Sequence, residues 1–173
     1  MLEVVCPAPV ELLEGQRTAI LDLFQQRYGV QPWNESPAAN AKAVDEVVAA
    51  ARLATTRSAV ALSGARVLVG LGQGGPGENF LSDLRAVAPD RCGDVDGPTF
   101  ELWQLTVMEA AGGAGLGGAL HDAVMGDVSG PALLLTHPLA VAAGYLYERR
   151  GWRKVARISF GPDHPRDIWR RYG

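Results

Sequence analysis

A chain of 173 residues, 47% hydrophobic and 20% charged, is long enough to bury one core and too short for two comfortable domains. A net charge of −3 argues against a nucleic-acid partner, which would want a basic face. No apolar run reaches the roughly 18 residues of a membrane span, and Met1 to Pro9 lacks the basic start and apolar core of a signal peptide, so the expected compartment is the cytoplasm.

Leu2 to Cys6 is a short apolar run that reads as a first strand, ended by Pro7 and Pro9. From Val10 to Tyr28, the residues Leu13, Ile20, Leu23 and Phe24 predict one amphipathic helix with Gly29 as its C′ residue. Gln31 to Pro37 is a loop carrying Trp33. Ser36 before Pro37 reads as an N-cap with proline at the first helical position, opening a second helix to about Thr56 with Val44, Val47, Val48 and Ala51 inward. Ser58 to Leu62 and Val67 to Leu71 read as strands joined at Ser63-Gly64-Ala65 in a hairpin. Gly72 to Pro98 is the least regular stretch; it holds a short helix over Asn79 to Val87 and the acidic residues Glu78, Asp83, Asp90, Asp94 and Asp96.

Phe100 to Gly118 begins as a strand, in which Leu105 and Val107 alternate with Gln104 and Thr106. It breaks into a glycine loop and restarts as a helix, because Leu116, Leu120 and Val124 share one face. A strand, a glycine turn and a helix N-terminus make an anion cradle: backbone N–H groups converge, no Cβ blocks approach and the helix dipole adds positive potential. That pattern suits a phosphorylated ligand. Gly113, Gly115 and Gly118 also fit the dinucleotide fingerprint, but the region that should supply its acidic residue reads Ala132-Leu-Leu-Leu-Thr-His137, and too little chain follows to build the sheet, so NAD is set aside.

Gly126 to Pro131 reads as a turn and Ala132 to Thr136 as a buried strand. Pro138 opens a helix to Arg150 with Leu139, Ala142, Ala143 and Leu146 inward and Gly151 closing it. Trp152 to Phe160 and Asp163 to Tyr172 supply the last strands. Cys6 and Cys92 lack metal or CxxC spacing and read as free thiols, and the scattered His121, His137 and His164 give no metal site.

Two segments carry a resemblance to the GNAT superfamily of acyl-CoA-dependent N-acyltransferases. Its signature, Gln/Arg-x-x-Gly-x-Gly/Ala after a strand, is similar to Gly112 to Gly117, where Gly115 and Gly117 take the small positions, Leu116 lies between them, and Gly112 replaces Gln or Arg. Ala132 to Trp152 resembles the second cofactor segment, a strand and then a helix ending Leu-Tyr-x-x-x-Gly-aromatic. With the hairpin upstream, the likeness covers residues 58 to 160. It implies an α/β (α+β) fold, a mixed and mostly antiparallel sheet flanked by helices, in one domain over residues 1 to 173. It also implies acetyl transfer from acetyl-CoA, or another acyl-CoA, to a primary amine of a small molecule, with no metal and with the donor in the gap between the strands at 100 to 107 and 132 to 137.

The resemblance assigns roles residue by residue. Gly112, Gly113, Ala114, Gly115, Leu116, Gly117 and Gly118, with Leu105 and Val107 before them, would hold the cofactor. Glu101 matches the catalytic glutamate of many such proteins, and the bland alternative is a strand glutamate facing solvent. Tyr147 matches the tyrosine that protonates the departing sulfur, against a packed ring. Trp33 either shapes the acceptor pocket or packs on the core, and Gln104 positions the acceptor. His137 is an alternative base or a capping histidine, and Tyr145 is structural. The acidic loop either favours a cationic amine or is simply solvated. Arg149, Arg150, Arg153 and Lys154 meet the CoA 3′-phosphate, an acidic carrier protein or water. A non-catalytic acyl-CoA sensor, a carrier-protein thioester donor, a protein amine as acceptor and a homodimer stay open.

Overall fold

The computed structural model describes residues 2–92, 99–161 and 164–172. In chain order the elements are β1 (Glu3–Val5), α1 (Val10–Gly15), α2 (Arg17–Tyr28), α3 (Pro37–Ala51), β2 (Arg57–Leu62), β3 (Leu68–Gly77) and α4 (Asn79–Val87), followed by β4 (Thr99–Val107), α5 (Leu116–Met125), β5 (Ala132–Thr136), α6 (Val141–Glu148), β6 (Arg153–Ser159) and β7 (Pro165–Arg171). The strands form one seven-stranded sheet in the order β1-β2-β3-β4-β5-β7-β6. β4 and β5 run parallel, as a strand–helix–strand crossover requires. The pairs β1–β2, β2–β3, β5–β7 and β6–β7 are antiparallel. The predicted mixed, mostly antiparallel sheet with helices is therefore present. The acidic positions Asp94 and Asp96, and Asp163 at the head of the last segment, lie outside the described residues.

The chain divides into two compact units, Met1–Gly74 with Gln104–Gly126, and Gly75–Trp103 with Asp127–Gly173. In the first, Leu13, Ile20, Leu23 and Phe24 of α1 and α2 pack with Val44, Val47 and Val48 of α3 and Val60, Leu62, Leu68 and Leu71 of β2 and β3. Ser36 Oγ accepts the Ala39 N–H at 3.1 Å with Pro37 at the first position, the expected N-cap. α3 ends at Ala51 rather than near Thr56. The single helix expected from Val10 to Tyr28 is two, broken at Gln16, whose side-chain amide serves the β2–β3 connection instead: Nε2 donates to Arg66 O and Oε1 accepts from Leu68 N–H, each at 3.1 Å. Gly29 is right-handed rather than a left-handed C′ residue; glycine is needed there because a Cβ would stand 2.5 Å from Gln25 O. In the hairpin connection the left-handed residue is Arg66, φ 57°, not Gly64.

The largest departure is β3, which continues through Gly72, Gln73, Gly74 and Gly75 to Gly77, where the sequence suggested irregular chain. Its glycines answer close neighbours, as strand glycines often do. A Cβ at Gly72 would press on Val124, and a Cβ at Gly75 would lie 2.7 Å from the Trp103 ring.

In the second unit Leu81 and Leu84 of α4 pack with Leu133 of β5, Ile158 of β6 and Ile168 of β7. Arg170 is buried and donates from Nη1 to Arg91 O at 2.9 Å and to Cys92 O, holding β7 to the turn after α4. α6 is shorter than expected, starting at Val141. Leu139 is 69% exposed, Ala142 is exposed, Ala143 and Leu146 are half-buried, and the inward residue is Tyr147. Gly151, φ 80°, does close the helix. Tyr145 is exposed, so its ring supports no packing.

Candidate active site

In the first unit, β4 leads through Val107 into a short 3-10 turn over Glu109–Ala111 and then into the glycine loop. Leu105 and Val107 are half-buried at the end of the strand. Gly113 and Gly115 are both left-handed, φ 79° and 75°, a conformation that costs a residue with a Cβ about 1–2 kcal/mol. Gly115 is the N-cap of α5, and no side chain caps the helix. The first-turn N–H groups of Leu116, Gly117 and Gly118 have no intrahelical acceptor, so they and the loop are available to an anion at the positive end of the helix. Ala114 is exposed at the tip, and Leu116 and Gly118 anchor the turn from inside.

Gly112 differs from its neighbours. Its φ of −69° and ψ of 165° suit any residue, and a Cβ would meet only Glu109 O, at 3.0 Å. An arginine here needs the Glu109 carbonyl to give way by a few tenths of an ångström, and would add guanidinium donors beside the amide cradle. Gly112→Arg is expected to lower the Kd for acetyl-CoA about three- to tenfold, by titration calorimetry; unchanged affinity would place this position away from the phosphates.

The same unit gathers the two residues singled out for the acceptor. Gln104 Oε1 accepts the Tyr28 hydroxyl at 3.1 Å, and the Trp33 ring meets the Tyr28 ring edge-on, centroids 5.4 Å apart. Burial of the Tyr28 hydroxyl pushes its pKa up to about 12, so the phenol stays neutral and donates. Tyr28 was not singled out in the sequence, where it is one more position on an amphipathic helix. The only available signal was its place in the last turn before a loop with two prolines and a tryptophan.

In the second unit, the β4–β5 pairing covers Phe100–Leu102 against Ala132–Leu134 only, although β5 stays paired with β7 as far as Thr136 and Asp167. Glu101 lies in the paired stretch and is 1% exposed, so the solvent-facing alternative is excluded. Its Oε1 accepts the Phe80 N–H at the start of α4 at 2.6 Å, and its Oε2 accepts the Trp103 indole N–H at 3.1 Å. Gly77 passes directly over it, where a Cβ would lie 2.6 Å from the Glu101 Cδ. The carboxylate thus caps α4 from a neighbouring strand, and each oxygen keeps a further lone pair.

Tyr147 is 6% exposed, with ring centroids 6.0 Å from both Trp152 and Trp169. His137 is buried, and its Nδ1 accepts the Leu139 N–H at 3.1 Å. That bond assigns the ring proton to Nε2, and burial followed by the Arg166 charge holds the pKa below the ordinary histidine value. His137 is thus a neutral turn-capping residue. Of the basic group, Lys154 Nζ lies 3.5 Å from the buried Asp167 carboxylate, and Arg149 and Arg153 are exposed. Cys6 and Cys92 are not joined in a disulfide. Among the described residues no group of His, Cys, Asp and Glu could hold a metal ion, and no helix is long and apolar enough to cross a membrane.

No protein-family model and no curated protein matches the chain. Solved structures do. One is a histone acetyltransferase HPA2 and related acetyltransferase from Corynebacterium glutamicum, with a TM-score of 0.69, 18% identity, and coverage of 99% of this chain and 96% of that one. Another is NAA60 of Arabidopsis thaliana in complex with acetyl-CoA, at 0.67, 19%, 99% and 98%. A third is an acetyltransferase of the GNAT family from Staphylococcus aureus, at 0.65, 13%, 99% and 98%. At such identities the likeness establishes the fold: the chain has the fold of GNAT acetyltransferases over nearly its whole length.

Proposed function

We propose that the protein is an N-acyltransferase that moves an acetyl group from acetyl-CoA to a primary amine of a small molecule. The observation that carries this reading is the glycine loop, left-handed at Gly113 and Gly115 and opening an uncapped helix, in a fold shared with an acetyl-CoA complex. The residues fit the co-substrate: amides of Gly113 to Gly118 for the pyrophosphate, and the β4 backbone at Leu105 and Val107 for the arm that carries the thioester.

The reaction is direct attack. The amine nitrogen bonds to the thioester carbonyl carbon, loses a proton, and the carbon–sulfur bond breaks to release a thiolate that takes a proton. Glu101 is assigned the amine proton, through a water relay because its side chain is sealed, and Tyr147 is assigned the proton to sulfur. Trp33, Gln104 and His137 are assigned to the acceptor. The compartment proposed is the cytoplasm, with no metal in the reaction.

Purified protein given acetyl-CoA and a broad panel of amines is expected to release free thiol with at least one of them. No release from any amine overturns the reading. Gly112, which lacks the side chain of the resembled motif, favours one rival, an acyl-CoA sensor without turnover. That rival predicts thermal stabilisation by acetyl-CoA, about 2.7 kcal/mol at 100 times Kd, with no thiol released.

A further inference from the structure

Gln104, assigned to the acceptor, is held in an ordered hydrogen-bond chain with Tyr28 and Thr106, to which the reaction gives no role. Gln104 and Thr106 alternate with Leu105 and so share one face of β4, and both engage the hydroxyl of Tyr28. A phenol is a stronger donor than an aliphatic hydroxyl, and an amide oxygen is a stronger acceptor than one. The stable order is therefore Thr106 O–H to Tyr28, and Tyr28 O–H to Gln104 Oε1. This fixes the Gln104 amide with its oxygen inward. With the oxygen turned to Tyr28, the planar amide of this half-buried residue directs its two N–H donors away from that ring.

The wall that carries them is held rigidly. Tyr28 ends α2, and the loop after it folds back: Glu35 N–H donates to Tyr28 O at 2.7 Å, and Trp33 and Asn34 N–H both donate to Val30 O at 3.0 Å. Phe24, Tyr28 and Trp33 form a row of rings, with centroids 5.3 and 5.4 Å apart. Phe24 is fully buried behind this row, so the half-buried Tyr28 and Trp33 rings, beside two N–H donors, complement an amine that bears both an apolar group and a hydrogen-bond acceptor.

We propose that Tyr28 is a specificity-determining residue which, by holding the Gln104 oxygen, presents the Gln104 N–H groups to the acceptor, so that the preferred amine carries a carbonyl or carboxylate beside its amino group. This rests on the acyl-transfer reading and adds the acceptor class to it. Such a site discriminates strongly, because an amine without the carbonyl leaves a placed donor unpaired.

The test compares phenylalaninamide with phenethylamine, which share ring and amine and differ in the carboxamide. The wild-type protein is expected to favour phenylalaninamide about tenfold or more in kcat/KM, one well-placed hydrogen bond. Gln104→Leu removes the outward donors without adding an acceptor, and should abolish the preference. Tyr28→Phe frees the amide to turn and should reduce the preference several-fold, chiefly by raising KM for phenylalaninamide. The KM for acetyl-CoA should stay level in both variants, which also reports that they fold. Equal use of the two amines by the wild type, or the same preference in all three proteins, overturns this proposal and leaves acyl transfer standing. No thiol released from either amine, nor from any in the broad panel, brings down both.

Discussion

Glu101→Gln should lower the thermal midpoint by about 4–12 °C. The carboxylate accepts two N–H groups, from Phe80 and from Trp103, in a site 1% exposed to solvent. A glutamine can turn its oxygen toward only one of them. Its NH2 then faces the other donor, which is left buried without an acceptor at a cost of about 2–3 kcal/mol, and each kcal/mol moves the midpoint of a chain this size by about 2–4 °C. Relief is blocked from above, because Gly77 lies against the side chain. If Glu101 also takes the amine proton, kcat falls about 100-fold or more, while stabilisation by acetyl-CoA persists. The measurements are a melting curve with and without acetyl-CoA and a single-turnover rate. A lowered midpoint with kcat within about threefold of wild type would make Glu101 an anchor for α4 and end its role as base. An unchanged midpoint would contradict the capping geometry itself.

This dual position of Glu101 shows how far the sequence can be read. Alternation along 100–107 marked the strand and suggested which residues share a face, but nothing local says that the N-terminus of α4 borrows its cap from a strand distant in sequence. Elements whose signals are local were legible: the Ser36–Pro37 start, the helix over Asn79–Val87, and the strand Ala132–Thr136, which match α3, α4 and β5. Errors arose where a residue answers a distant neighbour. Gln16 breaks a helix because the β2–β3 connection needs its amide. Gly72 to Gly77 resembles a loop in isolation, yet its glycines answer close neighbours, Val124 at Gly72, Trp103 at Gly75 and Glu101 at Gly77. Leu139 looked like core by periodicity and is exposed because α6 begins after it. The same limit applies to the acceptor side. Trp33 and Gln104 were visible as residue types, whereas Tyr28, which links them, became visible only through contact.

Gly113→Ala and Gly115→Ala together are expected to weaken acetyl-CoA binding by about 10- to 100-fold while lowering the midpoint of the unliganded protein by only a few degrees. Neither glycine has any heavy atom within 4 Å of the place a Cβ would occupy, so the substitutions create no clash with the fold. What they oppose is the left-handed backbone at φ 79° and 75°, about 1–2 kcal/mol at each position. The exposed loop can escape that strain by turning to negative φ, and in doing so it rotates the amides away from their common focus. The penalty therefore falls on the ligand-bound state, where the amides must converge, more than on the free protein. Asparagine separates this account from one based on bulk. It is larger than alanine but tolerates the left-handed region better, so Gly113→Asn should bind acetyl-CoA more tightly than Gly113→Ala. The opposite order would mean that the ligand needs the space above the loop rather than its conformation. Wild-type affinity in both variants would remove the loop from the donor site and, with it, the main support for acyl transfer.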